Sequence, residues 1–479
     1  MEVRVSGKSG KTEMLCYFIA EERARKMKAG NEKVPGSVLD LVKSGDFSGK
    51  DDQMSMAAGD GPAKRILLIG LGKTKDVDPE AIRKAACHAA RKASDLKLKE
   101  ATIMADNKVA GEVAAAVEGA ILGTYAFDKY KEEKKDKINA LTVVSASAGA
   151  KGEAERAKVM AEGTCMARDW VNETSDVLNP VAAADLAKKL AAKHGLRAKV
   201  YGESELKKMG MNLMLSVAAG SRYPPRLVVL EYMKGKGKPY VLVGKGVTFD
   251  SGGMNLKPTG YIELMKMDKG GAMTVLAAMV ALARMKARVN VVGIMGMVEN
   301  MIGPNATKPG NILKGYAGKT VEVCDTDAEG RLVLADALAY VAKAYKPRVI
   351  VDLATLTGAV LVIFGEFVAG LMGTDDKEAE ALFKAGQRTY ERVWRLPVYK
   401  EFEDEMKGVV SDWKNLGYKQ GRYAGTITAA AFLKQFVGKL PWLHVDMAGT
   451  AWYEKPRGYI PLGGTGFGVR LLVEYLAGK

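Results

Sequence analysis

Residues 321–338 read VEVCDTDAEGRLVLADAL, and this stretch joins a short apolar segment to an apolar helical pattern through a run of charged side chains. The pattern predicts a strand over 320–323 and a helix over 332–344. If the DTDAEGRL segment between them is extended, side chains repeat with a period of two, and Asp327, Glu329 and Arg331 face one side. Three ionisable groups on one face suit a bound metal or anion better than a hydrophobic core.

Apolar strand patterns alternate with helical patterns along the rest of the chain, which predicts an α/β protein. The predicted strands cover 65–69, 101–105, 141–145, 226–232, 240–247, 290–295 and 348–353. The predicted helices cover 79–93, 111–125, 152–172 and 272–285. Because 479 residues exceed what one core usually supports, we predict two domains. A smaller N-terminal α/β domain (1–151) and a helical connector (152–178) would precede a larger C-terminal α/β domain with a mixed sheet (179–479).

The net charge of +16 raises the question of nucleic-acid binding. Residues 1–165 carry 29 Lys and Arg against 25 Asp and Glu, and the rest of the chain carries 43 against 31, so the excess lies mostly in the second part. It is spread over Lys188, Lys189, Lys207, Lys208 and the KGKGK of residues 234–238, without an arginine-rich arm or interleaved aromatic residues. Nucleic acid is therefore a possible partner, but we do not expect it to be the primary one.

Several classes of protein are disfavoured by what the sequence lacks. Its longest apolar run, residues 353–365, is too short to span a bilayer and predicts a buried strand and loop. The N-terminal stretch has no apolar region typical of a secretory signal, so we expect a cytoplasmic protein without a membrane partner. Four cysteines lack any C-x-x-C pair, which argues against disulfides and a thiolate zinc site. With only His88, His194 and His444, a Ser-His-Asp triad is not expected.

A second charged stretch, VGKGVTFDSGGMNLKP over residues 243–258, follows an apolar strand pattern. It supplies Lys245, Asp250 and Lys257 from a glycine-rich loop, and Asp268 follows where a helix is about to begin. Ligands of parallel and mixed sheets gather at the carboxyl ends of strands. Together with Asp327 and Glu329, the segment predicts four converging carboxylates, enough to hold two hard or borderline divalent cations.

Each of these residues also has a structural interpretation. Lys245, Lys257 and Arg331 could pair with the acids in a salt-bridge network, Asp250 could cap the Ser-Gly-Gly turn, and Asp268 could cap the next helix. The Gly70-Leu71-Gly72 sequence lacks the third glycine of a dinucleotide motif and predicts a tight turn. Clustering of ionisable groups on glycine-rich loops at strand ends nevertheless favours a functional site.

These two motifs, in residues and in spacing from Lys245 to Arg331, resemble those of the leucyl aminopeptidase (cytosol aminopeptidase) family of dinuclear metallopeptidases. Further matches are VENM at 298–301, DLATLTGA at 352–359, GTITAA at 425–430 and HVDMAG at 444–449. The resemblance covers about residues 160–475. It is weaker in the first domain, where YAFDKYK at 125–131 and the Gly-Leu-Gly turn are of the family's kind.

The resemblance implies a cytosolic leucyl aminopeptidase that removes N-terminal residues, preferably leucine and other apolar ones, from peptides with a free N-terminus. Asp250 and Glu329 would bridge two divalent metal ions per subunit, Mn²⁺ or Zn²⁺, while Asp327 would complete one site and Lys245 with Asp268 the other. Lys257 would stabilise the oxyanion, and Arg331 would hold a bicarbonate ion acting as general base. The resemblance also implies a homohexamer and a macro-like N-terminal domain.

The pocket for the first side chain would be lined by Met265, Thr355, Leu356, Gly358 and Ala448. Leu356 and Ala448 could equally be ordinary core residues. Two other functions stay open, namely a DNA-binding or architectural role as a second activity, and an inactive carbohydrate- or nucleotide-binding protein that kept the fold. The complete set of seven ionisable residues argues against the inactive protein.

The sequence departs from the family pattern at Asp325, Lys269 and Asn311, which stand where asparagine, methionine and aspartate are usual. Asp325 could tighten metal retention, and Asn311 affects only a loop hydrogen bond. We expect Lys269 to point to solvent. We expect Cys324 to be a buried, inert thiol, although its oxidation could disturb the site.

Overall fold

The chain divides into two compact units in the computed structural model, which describes residues 1–30, 34–59, 61–105, 109–417 and 423–477. The first unit comprises Met1–Cys165 and Lys455–Leu462, and the second comprises Met166–Glu454 and Gly463–Lys479. The division falls inside a long helix, Ala150–Asn172. None of the helices in the described part of the chain is both long and apolar enough to cross a membrane.

The first unit is a six-stranded sheet with helices packed on it, in the strand order β1-β6-β5-β2-β4-β3. Neighbouring strands are parallel except β3 and β4, which are antiparallel. Its elements are β1 Glu2–Ser6, β2 Leu15–Ile19, α1 Glu21–Lys28, α2 Gly36–Ser44, β3 Met54–Ala58, β4 Arg65–Gly70, α3 Pro79–Asp95, β5 Glu100–Met104, α4 Glu112–Gly123, β6 Ala140–Val144 and the start of α5 Ala150–Asn172.

The strongest elements of this unit begin and end close to their predicted bounds. Helix α3 begins where expected because Asp78 accepts a hydrogen bond from the backbone N–H of Ala81 at 2.9 Å and Pro79 occupies the first helical turn. Strands β1, β2 and β3 were not predicted. Strands β1 and β3 mix exposed and half-buried positions, and β2 is a mostly buried run, but each has only five residues, which is too short a pattern to identify from sequence.

The second unit contains an eight-stranded mixed sheet with the order β15-β14-β17-β13-β9-β10-β8-β7. Its central strands β10, β9, β13 and β17 are parallel, and antiparallel pairs flank them. After α5 the elements are α6 Pro180–His194, β7 Arg197–Tyr201, α7 Glu203–Met209, α8 Asn212–Ala218, β8 Arg226–Met233, β9 Tyr240–Asp250, α9 Gly270–Arg284, β10 Asn290–Asn300, β11 Ile312–Lys314, β12 Thr320–Glu322, α10 Gly330–Ala344, β13 Val349–Ala354, α11 Ala359–Phe364, β14 Ala369–Gly373, α12 Asp376–Thr389, β15 Val393–Arg395, α13 Lys400–Glu405, β16 Trp413–Lys414, α14 Gly425–Lys434, β17 Trp442–Asp446, β18 Trp452–Tyr453, β19 Gly463–Gly464 and α15 Val469–Leu476.

The core of this unit lies between the central strands and the helices α9 and α10, whose residues are buried almost throughout. Helix α9 approaches β13 very closely. A Cβ atom at Gly271 would lie 2.1 Å from the carbonyl oxygen of Leu353, so this approach requires a residue without a side chain. The fold is thus α/β with a smaller N-terminal domain and a larger C-terminal domain with a mixed sheet, as the sequence predicts.

The DTDAEGRL segment is not extended, so the conditional prediction of an extended segment was wrong. Strand β12 ends at Glu322, and the following loop bonds to a side chain instead of a neighbouring strand. Asn415 accepts the backbone N–H of Cys324 at 2.7 Å and donates to the carbonyl oxygens of Asp325 and Ala328 at 2.6 and 3.2 Å. These hydrogen bonds pair the backbone groups of the loop, so the loop does not need a neighbouring strand.

The interpretation of residues 353–365 as a strand and loop was also partly wrong. Strand β13 ends at Ala354, and the second half of the apolar run forms the short helix α11, Ala359–Phe364. The run changes direction between them because Asp446 accepts hydrogen bonds from the backbone N–H groups of Leu356 and Thr357. A side chain distant in sequence therefore determines where this strand ends.

Candidate metal centre and substrate cleft

A cavity of about 730 Å³ lies at the carboxyl ends of the central strands, and the side chains predicted to form the site all line it. These are Lys245, Asp250, Lys257, Met265, Asp268, Asp327, Glu329, Arg331, Thr355, Leu356, Gly358 and Ala448. They come from five separate stretches of the chain. Parallel strands bring their carboxyl ends to the same edge of a sheet, which is why such distant residues meet.

Lys245 projects from β9 into the floor of the cavity and is almost fully buried. Its Nζ lies 2.8 Å from Oδ1 of Asp268 and 2.8 Å from Oε1 of Glu329, and it donates to the carbonyl oxygen of Thr355 at 2.9 Å. Burial alone would lower the pKa of this ammonium group, but the carboxylates of Asp268 and Glu329 raise it above its usual value.

Lys257 lies on the loop after β9 and faces the other side of the carboxylate cluster. Its Nζ is 3.0 Å from Oδ2 of Asp250 and contacts Oδ1 of Asp327. Burial opposes the charge, yet the carboxylates of Asp250 and Glu329 raise the pKa of Lys257. The interpretation of Lys245 and Lys257 as partners of the acids is therefore correct as a contact, and it does not exclude a functional role.

Two loops carry these groups, and a reciprocal pair of hydrogen bonds joins them. The backbone N–H of Asn255 donates to Oγ1 of Thr326 at 2.9 Å, and the backbone N–H of Thr326 donates to Oδ1 of Asn255 at 2.9 Å. Lys257 and Asp327 are consequently held next to each other although seventy residues separate them in sequence.

Asp250 serves as both a turn cap and a member of the cluster. Its Oδ1 accepts the backbone N–H of Gly252 at 3.0 Å and the Nδ2 of Asn300 at 2.8 Å, which leaves Oδ2 facing Lys257. The two interpretations of Asp250 were not exclusive. The alternative for Asp268, a helix cap, was wrong, because the residue before α9 is Lys269 and no side chain caps that helix.

Asp268 instead extends into the cavity from the 3₁₀ helix Ile262–Lys269. Its Oδ1 accepts a hydrogen bond from Oγ1 of Thr355 at 2.7 Å. Its Oδ2 is buried and has no hydrogen-bond partner among the residues that the structure describes. A buried carboxylate oxygen without a donor is costly, which is the expected environment of a metal ligand.

The carboxylates fit a divalent cation. Asp250, Asp327 and Glu329 each offer an oxygen, and these oxygens lie within 4.8 Å of one another. Burial, together with the charges of Asp250 and Glu329, raises the pKa of the Asp327 carboxyl to about 7. Such mutual repulsion is relieved by a bound cation, and oxygen ligands are those that hard and borderline divalent ions prefer.

Arg331 occupies the first turn of α10 and is buried. Its Nη1 donates to the carbonyl oxygen of Asn415 at 2.7 Å, while its Nε has no hydrogen-bond partner in the described part of the chain. Burial lowers the pKa of this guanidinium to about 10. Among the described residues no carboxylate lies within ion-pairing distance, so the salt-bridge interpretation of Arg331 was wrong, and the guanidinium remains available to an anion.

Asp446 and Asn415 organise the cavity wall, and no role was predicted for either residue. Oδ1 of Asp446 accepts the backbone N–H groups of Leu356, Thr357 and Ala448 at 3.2–3.4 Å, and Oδ2 accepts Oγ1 of Thr357 at 2.6 Å. An acid at the end of an apolar strand, as in LHVDMAG, was a usable signal for Asp446. The isolated Asn415 offered none.

Two expectations about neighbouring residues were wrong. Lys269 is fully buried, with its Nζ donating to the carbonyl oxygens of Glu173 and Lys266 at 3.0 and 2.5 Å, and burial lowers its pKa to about 7. Lys269 lies at the junction of the 3₁₀ helix and α9, and this junction faces the protein interior.

The Cys324 thiol is exposed, because the loop after β12 runs along the surface. Asp325 accepts the backbone N–H of Asp327 at 2.8 Å and so shapes the turn.

Comparison with known proteins gives consistent matches over both units. The catalytic domain of the cytosol aminopeptidase family matches residues 165–473, and the N-terminal domain of the same family matches residues 16–134. A probable cytosol aminopeptidase of Geobacter sp. (strain M21) is 41% identical over 96% of this chain and 95% of its own length. A probable cytosol aminopeptidase of Cenarchaeum symbiosum (strain A) is 42% identical over 98% of this chain and 97% of its own length.

A solved structure is similar over nearly the whole chain. The bottromycin maturation enzyme BotP, in complex with Mn, is 32% identical with a TM-score of 0.87, covering 97% of this chain and 98% of its own. At this identity and coverage, the two proteins share both domains of the fold.

Proposed function

This chain belongs to the cytosol aminopeptidase family of peptidases, and from that premise we propose that it removes leucine and other apolar residues from the N-termini of peptides. The observation that carries the proposal is the set of four carboxylates and two lysines gathered at one cavity. The proposed reaction is hydrolysis at two divalent metal ions, with bicarbonate as general base.

Five residues would hold the two metal ions. Asp250 and Glu329 would bridge them, Asp327 would complete one site, and Lys245 with Asp268 would complete the other. The mutual proximity of the carboxylate oxygens and the unpartnered Oδ2 of Asp268 support this assignment. When bound, the ions, Mn²⁺ or Zn²⁺, would lower the pKa of a water molecule and polarise the scissile carbonyl.

Lys257 would stabilise the negative charge that develops on the carbonyl oxygen. The surrounding carboxylates keep it an ammonium ion, and its side chain, 15% exposed, lies on the wall of an open cavity where substrate can reach it. A positioned cation at the developing oxyanion lowers the energy of the transition state more than that of bound substrate.

Arg331 would hold the bicarbonate ion that accepts a proton from water. Its buried guanidinium has no carboxylate partner among the described residues, and its Nε is unpartnered, which suits a planar anion with paired oxygens. The four carboxylates of the cluster, Asp250, Asp268, Asp327 and Glu329, are already assigned to the metal ions. A bound anion is therefore the group that we propose for the general base.

The first side chain of the peptide would enter the part of the cavity formed by Met265, Thr355, Leu356, Gly358 and Ala448. Two of these side chains are large and apolar, and Gly358 and Ala448 leave room beside them. A branched apolar side chain such as leucine fits such a surface, since its burial contributes about 1.5–3 kcal/mol.

A panel of aminoacyl p-nitroanilides, with manganese, zinc, magnesium or chelator added, tests the proposal. We expect leucine to be the preferred residue and chelator to abolish turnover. A peptide with an acetylated N-terminus should resist cleavage because its α-amine no longer binds. Equal rates on blocked and free peptides would refute removal from the N-terminus.

We further propose that the protein acts in the cytoplasm as a homohexamer. Large apolar side chains at and beside the cavity support an interface there: Tyr261 is 67% exposed and Val362 is 89% exposed. Soluble chains usually cover such clusters by association.

A further inference from the structure

A second cavity, of about 690 Å³, lies at the opposite end of β9 from the metal centre. Strand β9 begins at Tyr240, which lines this second cavity, and ends at Asp250, which lines the first. At about 3.3 Å per residue the two cavities are about 30 Å apart. Among the residues that the structure describes, the second cavity is lined by five basic side chains and no acidic one: Lys234, Lys236, Lys238, Arg288 and Arg348.

Four of these five cations have no acidic partner. Arg348 is paired, since its Nε donates to Oε1 of Glu378 at 3.0 Å. Within the described part of the chain, no carboxylate lies at ion-pairing distance from Lys234, Lys236, Lys238 or Arg288. Isolated cations are normal on a surface, but four around one concavity repel one another and create a local positive potential.

The backbone that presents these lysines is held in place without using their side chains. Asn290 accepts the backbone N–H of Gly235 at 2.9 Å and donates from Nδ2 to the carbonyl oxygen of Gly237 at 2.9 Å. A Cβ atom at Gly235 would lie 2.6 Å from the Cα of Val289, so the turn packs directly on the neighbouring strand. A fixed turn with free ammonium groups is a preorganised anion site.

We propose that this cavity binds a small ligand with two or three linked phosphates, such as tripolyphosphate or a nucleoside triphosphate. Each linked phosphate carries at least one negative charge near neutral pH and the terminal group approaches two, so four unpaired cations match a chain of two or three phosphates. The volume falls in the range of small-molecule sites. The aromatic ring in the lining, Tyr240, is only 5% exposed, so the wall favours the phosphate chain over a stacked base.

Calorimetric titration of the full-length, metal-loaded protein with tripolyphosphate and with ATP at low salt tests the proposal. We expect Lys236→Glu/Lys238→Glu to weaken binding about ten-fold or more, because two charge-assisted contacts become repulsive. The matched control, Lys189→Glu/Lys208→Glu, makes the same change in net charge on exposed residues outside the cavity. It should weaken binding less than about two-fold.

A third variant separates a built site from a diffuse positive field. Asn290→Ala leaves the charge unchanged but releases the turn, and it should also weaken tripolyphosphate binding. Thermal unfolding confirms that each variant folds. Leucine p-nitroanilide turnover should be unchanged in all variants. If tripolyphosphate only chelated the metal ions, its calorimetric signal would be the same in every variant.

The outcomes decide the proposal and the identity of the ligand. Equal binding of tripolyphosphate and ATP supports recognition of the phosphate chain alone, and tighter binding of ATP supports a nucleoside polyphosphate. No binding by the wild-type protein at low salt overturns the proposal, as does an equal loss in the two double variants. Binding of duplex DNA without tripolyphosphate would reassign these lysines to a nucleic-acid surface.

Discussion

Lys245 and Lys257 each contact two carboxylates of the same cluster, but their positions differ in a way that fits the different roles proposed for them. Lys245 lies on a central strand, and its side chain is 3% exposed. Its ammonium group contacts the carboxylates of Asp268 and Glu329 and donates to a backbone carbonyl oxygen. Lys257 stands on a loop at the cavity wall. The first position suits a metal ligand and the second suits contact with a substrate that enters and leaves.

Lys257→Ala should lower kcat for leucine p-nitroanilide by about 100-fold or more, the loss typical of a missing oxyanion donor. Metal content, measured in the same samples, should be intact because Lys257 is not a proposed ligand. Lys308→Ala, at an exposed lysine outside the cavity, is the matched control. Near-normal turnover by Lys257→Ala would reject the role.

Asp446→Ala should reduce the preference for leucine over glycine p-nitroanilide about ten-fold. The substitution leaves the backbone N–H groups of Leu356 and Ala448 without an acceptor, so the pocket for the first side chain loses its shape. Because Asp446 is a positioning residue, KM for leucine should change more than kcat. Asp446→Asn keeps one oxygen and should restore part of the preference, whereas equal selectivity in all three proteins would contradict the assignment.

The raised pKa of Asp327 predicts that metal binding depends on pH. Its pKa is raised to about 7 by burial and by the charges of Asp250 and Glu329, so below that pH a proton competes with the metal for the carboxylate. The affinity for Mn²⁺ should therefore increase as pH rises through about 7, measured by equilibrium dialysis between pH 6 and 8.

The same experiment should find two ions per chain in the wild-type protein at pH 8. Asp327→Asn should lose at least one of them, and the remaining binding should depend less on pH. An unchanged number of ions in Asp327→Asn would exclude Asp327 as a ligand.

At the scale of elements, the site depends on the loop between β12 and α10 and on the close contact of α10 with β9. The loop's backbone is bonded to Asn415, and the helix begins directly after Glu329. Its first residue, Gly330, touches Lys245. A Cβ atom there would lie 2.5 Å from Cε and 2.7 Å from Nζ of Lys245.

Gly330→Ala should therefore reduce activity and metal content while leaving the fold intact. The new methyl group displaces the Lys245 amine, whereas alanine in a helix is favoured over glycine by about 0.5–1 kcal/mol. Gly152→Ala, in helix α5 with no atom within 4 Å of the added Cβ, is the control and should keep full activity. Metal analysis measures the effect of displacing the Lys245 amine, and thermal unfolding measures the effect of alanine on the stability of the fold. Full activity in Gly330→Ala would show that Lys245 can move without consequence.

At the scale of the whole molecule, the exposed apolar residues beside the cavity are where we propose that subunits of a homohexamer meet. If they are covered by other subunits, light scattering should give a mass of about six times the 51.4 kDa of one chain. Val362→Glu should lower that mass, because a buried charge at an interface is costly. Asp376→Lys, at an exposed acid in helix α12, is a control for the change of surface charge. A monomeric wild-type protein would contradict the hexamer.

Local patterns in the sequence identified seven of the fourteen described strands in the two large sheets. Strands such as β4 and β9 and helices such as α3 were predictable because their apolar residues repeat with a regular period and their ends carry caps or glycine. The twelve residues predicted for the site all line one cavity, and charged groups at strand ends and a family resemblance pointed to the segments that carry them. Both signals are local in sequence.

Contacts between distant segments decided what local patterns could not. Hydrogen bonds to Asn415 hold the DTDAEGRL segment as a loop, and hydrogen bonds to Asp446 end β13 before α11 begins. Lys269 is buried although a charged side chain usually faces solvent. The sequence by itself determined the α/β class and the family, and it predicted residues that the fold brings to one cavity. Only the tertiary structure determined how the site is shaped and where the unpaired cations gather, because hydrogen bonds and burial depend on residues that meet only after folding.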